Sequence, residues 1–268
     1  MKTRTNNPPI GIFDSGLGGL TVYRELRKIL PSENIIYFGD TMRVPYGNKS
    51  TESIKIFSSE ISQFLLSLGV KMIVVACNTV SSTSLDIIES ITKLPVVGVI
   101  EPGVKLAIKK SKNKKIIVIG TRATVNSHSY KNKIEENDPT IDVIEKACPL
   151  FVPIVEENFV NHKASLLIAD EYLGEFKSKD YDTIILGCTH YPLIKNLIKK
   201  VLSDINIIDS SKACAGYVKD ILTNNNMLSK NDGDGWTDFY VSDKPQNFME
   251  LAYRLAGVKI CKINIKRF

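Results

Sequence analysis

Histidine and cysteine are scarce in this chain, with three histidines and five cysteines among 268 residues. They form no C-x-x-C or H-x-x-x-H pair, and their spacing is too wide for a zinc module. The sequence therefore argues against a zinc domain, and we expect no bound metal.

Long apolar runs are also absent. No run reaches the roughly 18 to 20 residues that a helix needs to span a bilayer. Residues 1–9 are polar and lack the apolar core of a secretion signal. An odd number of cysteines in such a chain favours reduced thiols. We therefore expect a cytoplasmic protein with no membrane partner.

The charge pattern does not indicate a nucleic-acid groove. The net charge is +6, but the basic residues are scattered, with short runs only at Lys109–Lys115 and Lys262–Arg267. No aromatic residues interleave with these runs, as a single-strand platform requires. Both runs are more typical of solvated faces, so nucleic acid is not an expected partner.

Short apolar runs alternate with amphipathic stretches along most of the chain. The runs predict nine strands: Ile10–Phe13, Ile35–Phe38, Met72–Ala76, Val96–Val99, Ile116–Ile119, Ile141–Ile144, Thr183–Leu186, Ile205–Ile208 and Thr237–Val241. The spacing predicts helices at Leu20–Leu30, Thr51–Leu68, Val104–Lys110, Leu166–Phe176 and Asn247–Ala256. Alternating strands and helices predict an α/β fold of mostly parallel sheets flanked by helices.

Nine strands are many for one sheet at this length, so we predict two similar domains. The first break is placed at Glu101–Gly103, a turn-prone tripeptide, and the second at Asp209–Ser211, which is typical of a helix N-cap. The predicted domains are residues 1–100 plus 211–268, and residues 101–210. Periodicity alone does not establish that the end of the chain returns to the first domain.

Two cysteines, Cys77 and Cys188, have near-identical surroundings. Each follows an apolar run and precedes hydroxyl or amide residues and a helical pattern. Ligands of parallel sheets bind at the carboxyl ends of strands, and a helix N-terminus favours thiolate and anions. A single such cysteine is often only a buried apolar residue, but two in matching surroundings favour a pair of bases or nucleophiles. We assign the other three cysteines to packing: Cys148, Cys214 and Cys261.

The glycine-rich segment Gly11–Leu20 is not a phosphate loop. Thr21 stands where the Rossmann pattern needs its third glycine, and no Gly-Lys-Ser/Thr is present. The segment predicts a tight turn that presents Asp14 and Ser15. The carboxylate either meets an ammonium group or orients a thiol, or the two residues simply cap the following helix.

Other polar residues are weaker candidates. Asp40 ends the second predicted strand, and Pro45–Gly47 either covers a small ligand or is a plain surface loop. His190 follows Cys188 closely and could share its proton or bind a carboxylate. The pair Glu156–Glu157 is more often solvated than functional.

Together the motifs resemble those of glutamate racemases, in the cofactor-independent aspartate/glutamate racemase superfamily. The motifs that carry the resemblance are Gly11–Gly19, Tyr37–Thr41, Val44–Gly47, Val75–Thr79, Gly98–Gly103, Ile119–Thr121, Pro149–Pro153 and Leu186–Pro192. They run from about residue 10 to 194. The last quarter of the chain carries no sharp motif.

The resemblance implies that the protein interconverts L- and D-glutamate without a cofactor and supplies D-glutamate for peptidoglycan. It implies an active site in the cleft between the two domains and leaves open whether a homodimer forms. Cys77 and Cys188 match the catalytic positions. The substrate-binding positions match Asp14, Ser15, Tyr46, Gly47, Asn78, Thr79, Thr121, Thr189 and His190. The assisting positions match Asp40, Glu156 and His190.

Three alternatives stay open. The chain could be a racemase of aspartate or another amino acid, since the sequence does not reveal the pocket's length. It could be a cysteine hydrolase using Cys188 and His190, although two residues so close on one strand end are not expected to face each other, and Cys77 would be idle. It could also be a non-catalytic ligand-binding protein.

Overall fold

The computed structural model describes residues 7–244 and 248–268, without the side chains of 254–256. It contains two sheets in which every strand pairing is parallel. The first sheet has six strands: β1 (Ile10–Asp14), β2 (Ile35–Gly39), β3 (Met72–Val75), β4 (Val96–Gly98), β9 (Thr237–Val241) and β10 (Asn264–Ile265). The second sheet has four strands: β5 (Lys115–Gly120), β6 (Asp142–Ala147), β7 (Thr183–Gly187) and β8 (Asn206–Asp209).

Helices connect the strands. They are α1 (Leu20–Ile29), α2 (Thr51–Ser67), α3 (Asn78–Ser81), α4 (Leu85–Thr92), α5 (Ile100–Lys110), α6 (Arg122–Asn126), α7 (Ser129–Asn137), α8 (Phe151–Glu156), α9 (Lys163–Leu173), α10 (Lys195–Val201), α11 (Ser210–Asn224) and α12 (Phe248–Ala256). Short 3₁₀ turns occur at Tyr46–Asn48, Gly174–Phe176 and Tyr191–Ile194. In the described part of the chain, no helix has both the length and the apolar character to cross a bilayer.

The strand order places the carboxyl ends of the inner strands side by side. The first sheet runs β10-β9-β2-β1-β3-β4 and the second β6-β5-β7-β8. In the first sheet β2 and β3 lie on opposite sides of β1, and in the second sheet β6 and β7 lie on opposite sides of β5. The strand order therefore changes direction at β1 and at β5. Ligand sites of open parallel sheets form at such points. The predicted α/β fold with two parallel sheets is confirmed.

The strands are apolar because helices cover both of their faces. In β1, Ile12 packs in the same buried cluster as Leu26 of α1. Its neighbour Phe13 packs on the opposite face with Ile61 of α2. Each such side chain stabilises the fold by about 1.5–3 kcal/mol when fully buried. The cluster around Ile12 also includes Leu186 of β7, so the two sheets share one apolar core.

The last part of the chain joins the first sheet. Strand β9 pairs with β2, with Ile35 opposite Thr237 and Gly39 opposite Val241. The second predicted break is a helix N-cap, because Asp209 Oδ1 accepts the backbone N–H of Ser211 at 2.9 Å. Residue 247, where we predicted the last helix to begin, lies outside the described residues. The domain limits stay a prediction.

Three local predictions are wrong. The tripeptide Glu101–Gly103 lies inside α5 rather than in a turn, because proline fits the first helical turn, where its missing N–H has no intrahelical acceptor anyway. The helix predicted at Leu166–Phe176 begins at Lys163 and ends at Leu173. Cys261, which we assigned to packing, is exposed. Buried and exposed residues alternate in this segment, and Val258 and Ile260 take the buried positions.

We expect Phe239→Ala to lower the free energy of unfolding by about 3–5 kcal/mol, the usual cost of deleting a buried aromatic ring. The Phe239 ring lies 5.3 Å from that of Tyr23 and 6.0 Å from that of Tyr37. Urea unfolding followed by circular dichroism measures the change. Tyr253→Ala on α12, where the side chain is 64% exposed, is the control and should change stability by less than about 0.5 kcal/mol. Equal effects would contradict the packing of β9.

Candidate active site

A small cavity lies where the carboxyl ends of the two sheets meet. Its lining comes from loops of both sheets: Ser15, Val44, Pro45, Tyr46, Gly47, Cys77, Asn78, Thr79, Thr121, Val152, Cys188, Thr189 and His190. Its volume is ≈ 40 Å³. A water molecule takes about 30 Å³ in the liquid. A ligand the size of an amino acid therefore needs the surrounding loops to move apart.

Larger surface cavities lie elsewhere. One of ≈ 480 Å³ borders Lys71 and Met227, and one of ≈ 520 Å³ borders Lys179 and Tyr181. No cysteine lines either of them. In the first, Lys71 already donates to Glu33 at 2.6 Å and to the Met227 carbonyl at 2.7 Å. The small cavity is therefore the better candidate, because it alone of the three holds reactive groups.

Cys77 enters the cavity from the first sheet. It follows β3 and is the N-cap of α3, with its thiol donating to Ser15 Oγ at 3.6 Å. Burial, together with the negative charge of Asp14, raises the pKa of Cys77 to about 12. The prediction that a helix N-terminus favours thiolate here is therefore wrong. Helix α3 has only four residues, and its dipole does not offset burial.

Cys188 enters from the second sheet and faces His190. The backbone turns back directly after β7, with Tyr191 N–H bonded to the Cys188 carbonyl at 3.1 Å. This turn places His190 Nδ1 3.9 Å from Cys188 Sγ, and Nε2 lies 3.1 Å from Glu156 Oε1. The expectation that the two side chains would not face each other is thus wrong.

The environment of His190 favours its charged form. Burial disfavours the imidazolium, but the hydrogen bonds to Cys188 and Glu156 outweigh this and raise the pKa of His190 to about 10. A cation in this position stabilises negative charge on Cys188. The two thiols therefore lie in opposite electrostatic surroundings, with Asp14 near Cys77 and His190 beside Cys188.

Hydroxyl groups from the two sheets meet at one side of the cavity. Thr79 Oγ1 lies 3.2 Å from Thr121 Oγ1 and 3.4 Å from Thr124 Oγ1. Thr121 is also the N-cap of α6, where it accepts the Thr124 N–H at 3.3 Å. The cluster supplies donors for an anion.

Tyr46 and Gly47 close another side. Tyr46 is buried and donates its hydroxyl to Asp40, which also accepts from Arg43 Nε at 2.6 Å. A Cβ added to Gly47 would lie 2.9 Å from Thr121 Cβ, so this loop touches the opposite sheet.

Three of the predicted residues do not line the cavity. Asp14 is fully buried behind Ser15, and its carboxylate accepts the Gly16 N–H at 3.0 Å. Burial raises the pKa of Asp14. Asp40 lies behind Tyr46 and Glu156 behind His190. These three carboxylates can act on a ligand only through the residues they contact or through their charge.

The glycine-rich turn needs a glycine at position 18, because the loop after β1 and the loop after β7 approach each other closely there. A Cβ on Gly18 would lie 2.2 Å from Thr189 Oγ1 and 2.7 Å from the His190 ring. Thr21, on the next helix, donates to the Thr189 carbonyl at 3.2 Å. Glycine at position 18 therefore lets the first sheet's loop press against the loop that carries Cys188.

Sequence reasoning missed several contributing residues. Thr21 and Thr124 lie inside helices, where a threonine has no distinguishing pattern. Val44 and Val152 lie within quoted motifs but carry no chemistry of their own. The side chains of residues 7–244 and 248–268 form no group of three histidine, cysteine, aspartate or glutamate residues that could hold a metal ion.

Two thiols on one cavity, with an imidazole and several hydroxyls, define a cysteine-dependent α/β enzyme of acid–base or nucleophilic chemistry. A family model described as Asp/Glu/Hydantoin racemase matches residues 10–218. The chain therefore belongs to this racemase family.

Individual relatives agree with the family match. The chain is 47% identical over 253 residues to the glutamate racemase of Chlorobaculum tepidum, covering 94% of this chain and 93% of that one. It is 48% identical over 251 residues to the glutamate racemase of Persephonella marina, covering 94% of each. The crystal structure of glutamate racemase from Francisella tularensis in complex with D-glutamate matches with a TM-score of 0.92 at 41% identity, covering 97% of both chains.

We expect Gly18→Ala and Gly216→Ala to change stability in opposite directions. The first should lower the free energy of unfolding by about 1–3 kcal/mol, because the new methyl group overpacks the contact with Thr189. The second, inside α11 with no atom within 4 Å of the new Cβ, should raise it by about 0.5–1 kcal/mol. Urea unfolding of both variants measures the difference. A gain for Gly18→Ala would show that the loops are not in contact in solution.

Proposed function

We propose that this protein interconverts L- and D-glutamate by proton transfer between Cys77 and Cys188, without a cofactor. The observation that carries the proposal is that the two thiols reach one small cavity from different sheets. Removal of an α-proton from one face and its return to the other needs two acid/base groups on opposite sides of the carbon. Membership of the racemase family supports this assignment.

The two thiols have different roles. Cys188 lies beside His190, whose pKa is raised to about 10, and this positive charge suits Cys188 to take the α-proton of L-glutamate. Cys77, whose pKa is raised to about 12, is the thiol and gives its proton to the opposite face. The reverse reaction exchanges the two roles. One proton leaves the α-carbon and one arrives. Each turnover therefore exchanges the protonation states of the two cysteines and inverts the configuration of the α-carbon.

Negative charge develops on the substrate as its α-proton leaves, and the cavity's donors stabilise it. The donors are the hydroxyls of Ser15, Thr79, Thr121 and Thr189 and the amide of Asn78. Buried donors aimed at developing charge stabilise it more than water does, since they need no reorganisation. A substrate that fills the space between the two sheets displaces water from it, which strengthens these interactions.

The three carboxylates outside the cavity assist through their neighbours. Burial raises the pKa of Cys77, and the charge of Asp14 raises it further, so that this thiol stays protonated. Glu156 holds His190 in its charged form. Asp40 fixes Tyr46 against the cavity. A racemase of this kind would supply D-glutamate for peptidoglycan in the cytoplasm, as the resemblance of its motifs implies.

A cysteine hydrolase remains a rival because Cys188, His190 and Glu156 form a thiol–imidazole–carboxylate chain. That chemistry would not need Cys77. A racemase of aspartate would need both thiols but a shorter ligand. A chiral assay with glutamate and aspartate side by side distinguishes the substrates, and the dependence on Cys77 distinguishes the reactions.

We expect Cys77→Ala and Cys188→Ala each to lower the racemisation rate by at least about 10²-fold in both directions, since a positioned acid or base contributes about 10²–10⁴-fold. Circular dichroism of a glutamate solution measures the rate. Cys261→Ala is the control, because that thiol is exposed and does not line the cavity.

In deuterated water, the product enantiomer of the unaltered enzyme should carry deuterium at the α-carbon. Substantial turnover in Cys77→Ala, or an unlabelled product, would end the two-thiol assignment.

The rate should also fall at high pH. The pKa of His190 is about 10, so the imidazolium that stabilises the Cys188 thiolate is present below this pH and is lost as the pH rises through it. We expect kcat/KM for L-glutamate to have a falling limb there. Glu156→Gln removes a partner of the imidazolium and should move this limb to lower pH.

Glu157→Gln is the matched control, because Glu157 is the exposed neighbour of Glu156. Its profile should follow that of the unaltered enzyme. A limb that stays in place in Glu156→Gln would show that this carboxylate does not act through His190.

A further inference from the structure

Tyr130 is a buried tyrosine beside the second sheet, and it contacts a residue that reaches the cavity from the first sheet. It lies on α7 and is 0% exposed, and its ring packs in the cluster of Ile116 and Ile134 beside the second sheet. Its hydroxyl donates to Asn78 Oδ1 at 2.6 Å. Asn78 lies on α3 of the first sheet, directly after Cys77. The bond therefore joins the two halves of the molecule beside a reactive thiol.

In this bond the Asn78 amide has its Oδ1 turned toward the phenol. A phenol that donates to Oδ1 leaves Nδ2 on the other side of the amide. Burial, together with negative charge on Cys188, raises the pKa of Tyr130, so the phenol keeps the proton that it donates to Oδ1. The reverse amide orientation would present a carbonyl oxygen to the cavity and would repel a carboxylate.

The Nδ2 group of Asn78 is available for a ligand. Asn78 lines the cavity and is 2% exposed, and within the described residues its Nδ2 is buried with no hydrogen-bond partner. A buried N–H without an acceptor is costly. An acceptor in the cavity would satisfy it, and the substrate that we assign to this site carries a carboxylate next to its reacting carbon.

We propose that Tyr130 is a positioning residue that aims Nδ2 of Asn78 at the α-carboxylate of the substrate. This role rests on the proposed function for the identity of the ligand. Tyr130 lies on α7, which packs beside the second sheet, and Asn78 lies on α3, which follows a strand of the first sheet. The amide is therefore aimed only while the two sheets are in this arrangement. Closure of the cavity and recognition of the carboxylate are thus coupled through one hydrogen bond.

The test is Tyr130→Phe, which keeps the packed ring and removes the hydroxyl. We expect kcat/KM for both enantiomers to fall about 10-fold or more, mostly through a higher KM, as for loss of one hydrogen bond to a charged group. In an Asn78→Ala background, Tyr130→Phe should change kcat/KM by less than about twofold, since the residue it acts through is gone.

Tyr23→Phe is the matched control. The Tyr23 hydroxyl is also largely buried and bonded to a side chain, Thr237 Oγ1 at 3.1 Å, but it does not touch the cavity's lining. Its KM should equal that of the unaltered enzyme. Equal losses by Tyr130→Phe with and without Asn78, or no loss in either, would overturn the positioning role.

Calorimetric binding of D-glutamate separates this proposal from the function. If the unaltered protein binds D-glutamate but does not racemise it, the proposed function fails. Weaker binding by Tyr130→Phe alone would then still support the positioning role, and unchanged binding would overturn it. Absence of D-glutamate binding by the unaltered protein would overturn it as well, since no carboxylate would then be recognised.

Discussion

The site depends on how closely the loops of the two sheets approach each other. Gly18 is the tightest point, where even a methyl group would overlap Thr189 and His190. Gly47 makes a similar approach to Thr121 on the other side. These contacts bring Cys77 and Cys188, which end strands of different sheets, to one cavity. A wider spacing would leave two unrelated buried thiols, each an ordinary end to an apolar strand.

The two thiols also differ in their electrical surroundings, and each sheet sets those of its own thiol. Burial and the charge of Asp14, both in the first sheet, disfavour charge on Cys77, whereas the imidazolium of His190, which directly follows the second sheet's β7, lies beside Cys188. Both thiols are buried, so these charges act on them with less screening than in water. A pair of chemically identical groups can therefore hold one proton between them in a defined place, which is the starting condition for moving a proton from one face of a carbon to the other.

The fold and the two cysteines that line one cavity could be predicted because their patterns are local. Strands buried on both faces are continuous apolar runs, and the repeated surroundings of Cys77 and Cys188 lie within a few residues of each. What failed depends on three-dimensional burial. The helix dipole alone predicts a lowered pKa for the Cys77 thiol. In the protein desolvation dominates, and the pKa is raised instead. Tyr130 could not be found at all, because its partner Asn78 is distant in sequence and a lone tyrosine in a helix has no motif.

The closed cavity must open for a substrate, and the contacts across it are suited to that. The bonds between Thr79 and Thr121 and between Tyr130 and Asn78 are single hydrogen bonds, each contributing about 0.5–1.5 kcal/mol net. The core beneath them is apolar and continuous between the sheets, so it resists complete separation. Weak polar contacts above a strong apolar base allow the loops to part while the sheets stay joined. The same polar groups also supply the cavity's donors. A bound ligand can therefore form hydrogen bonds that replace those lost when the loops part, and this favours closure over the substrate.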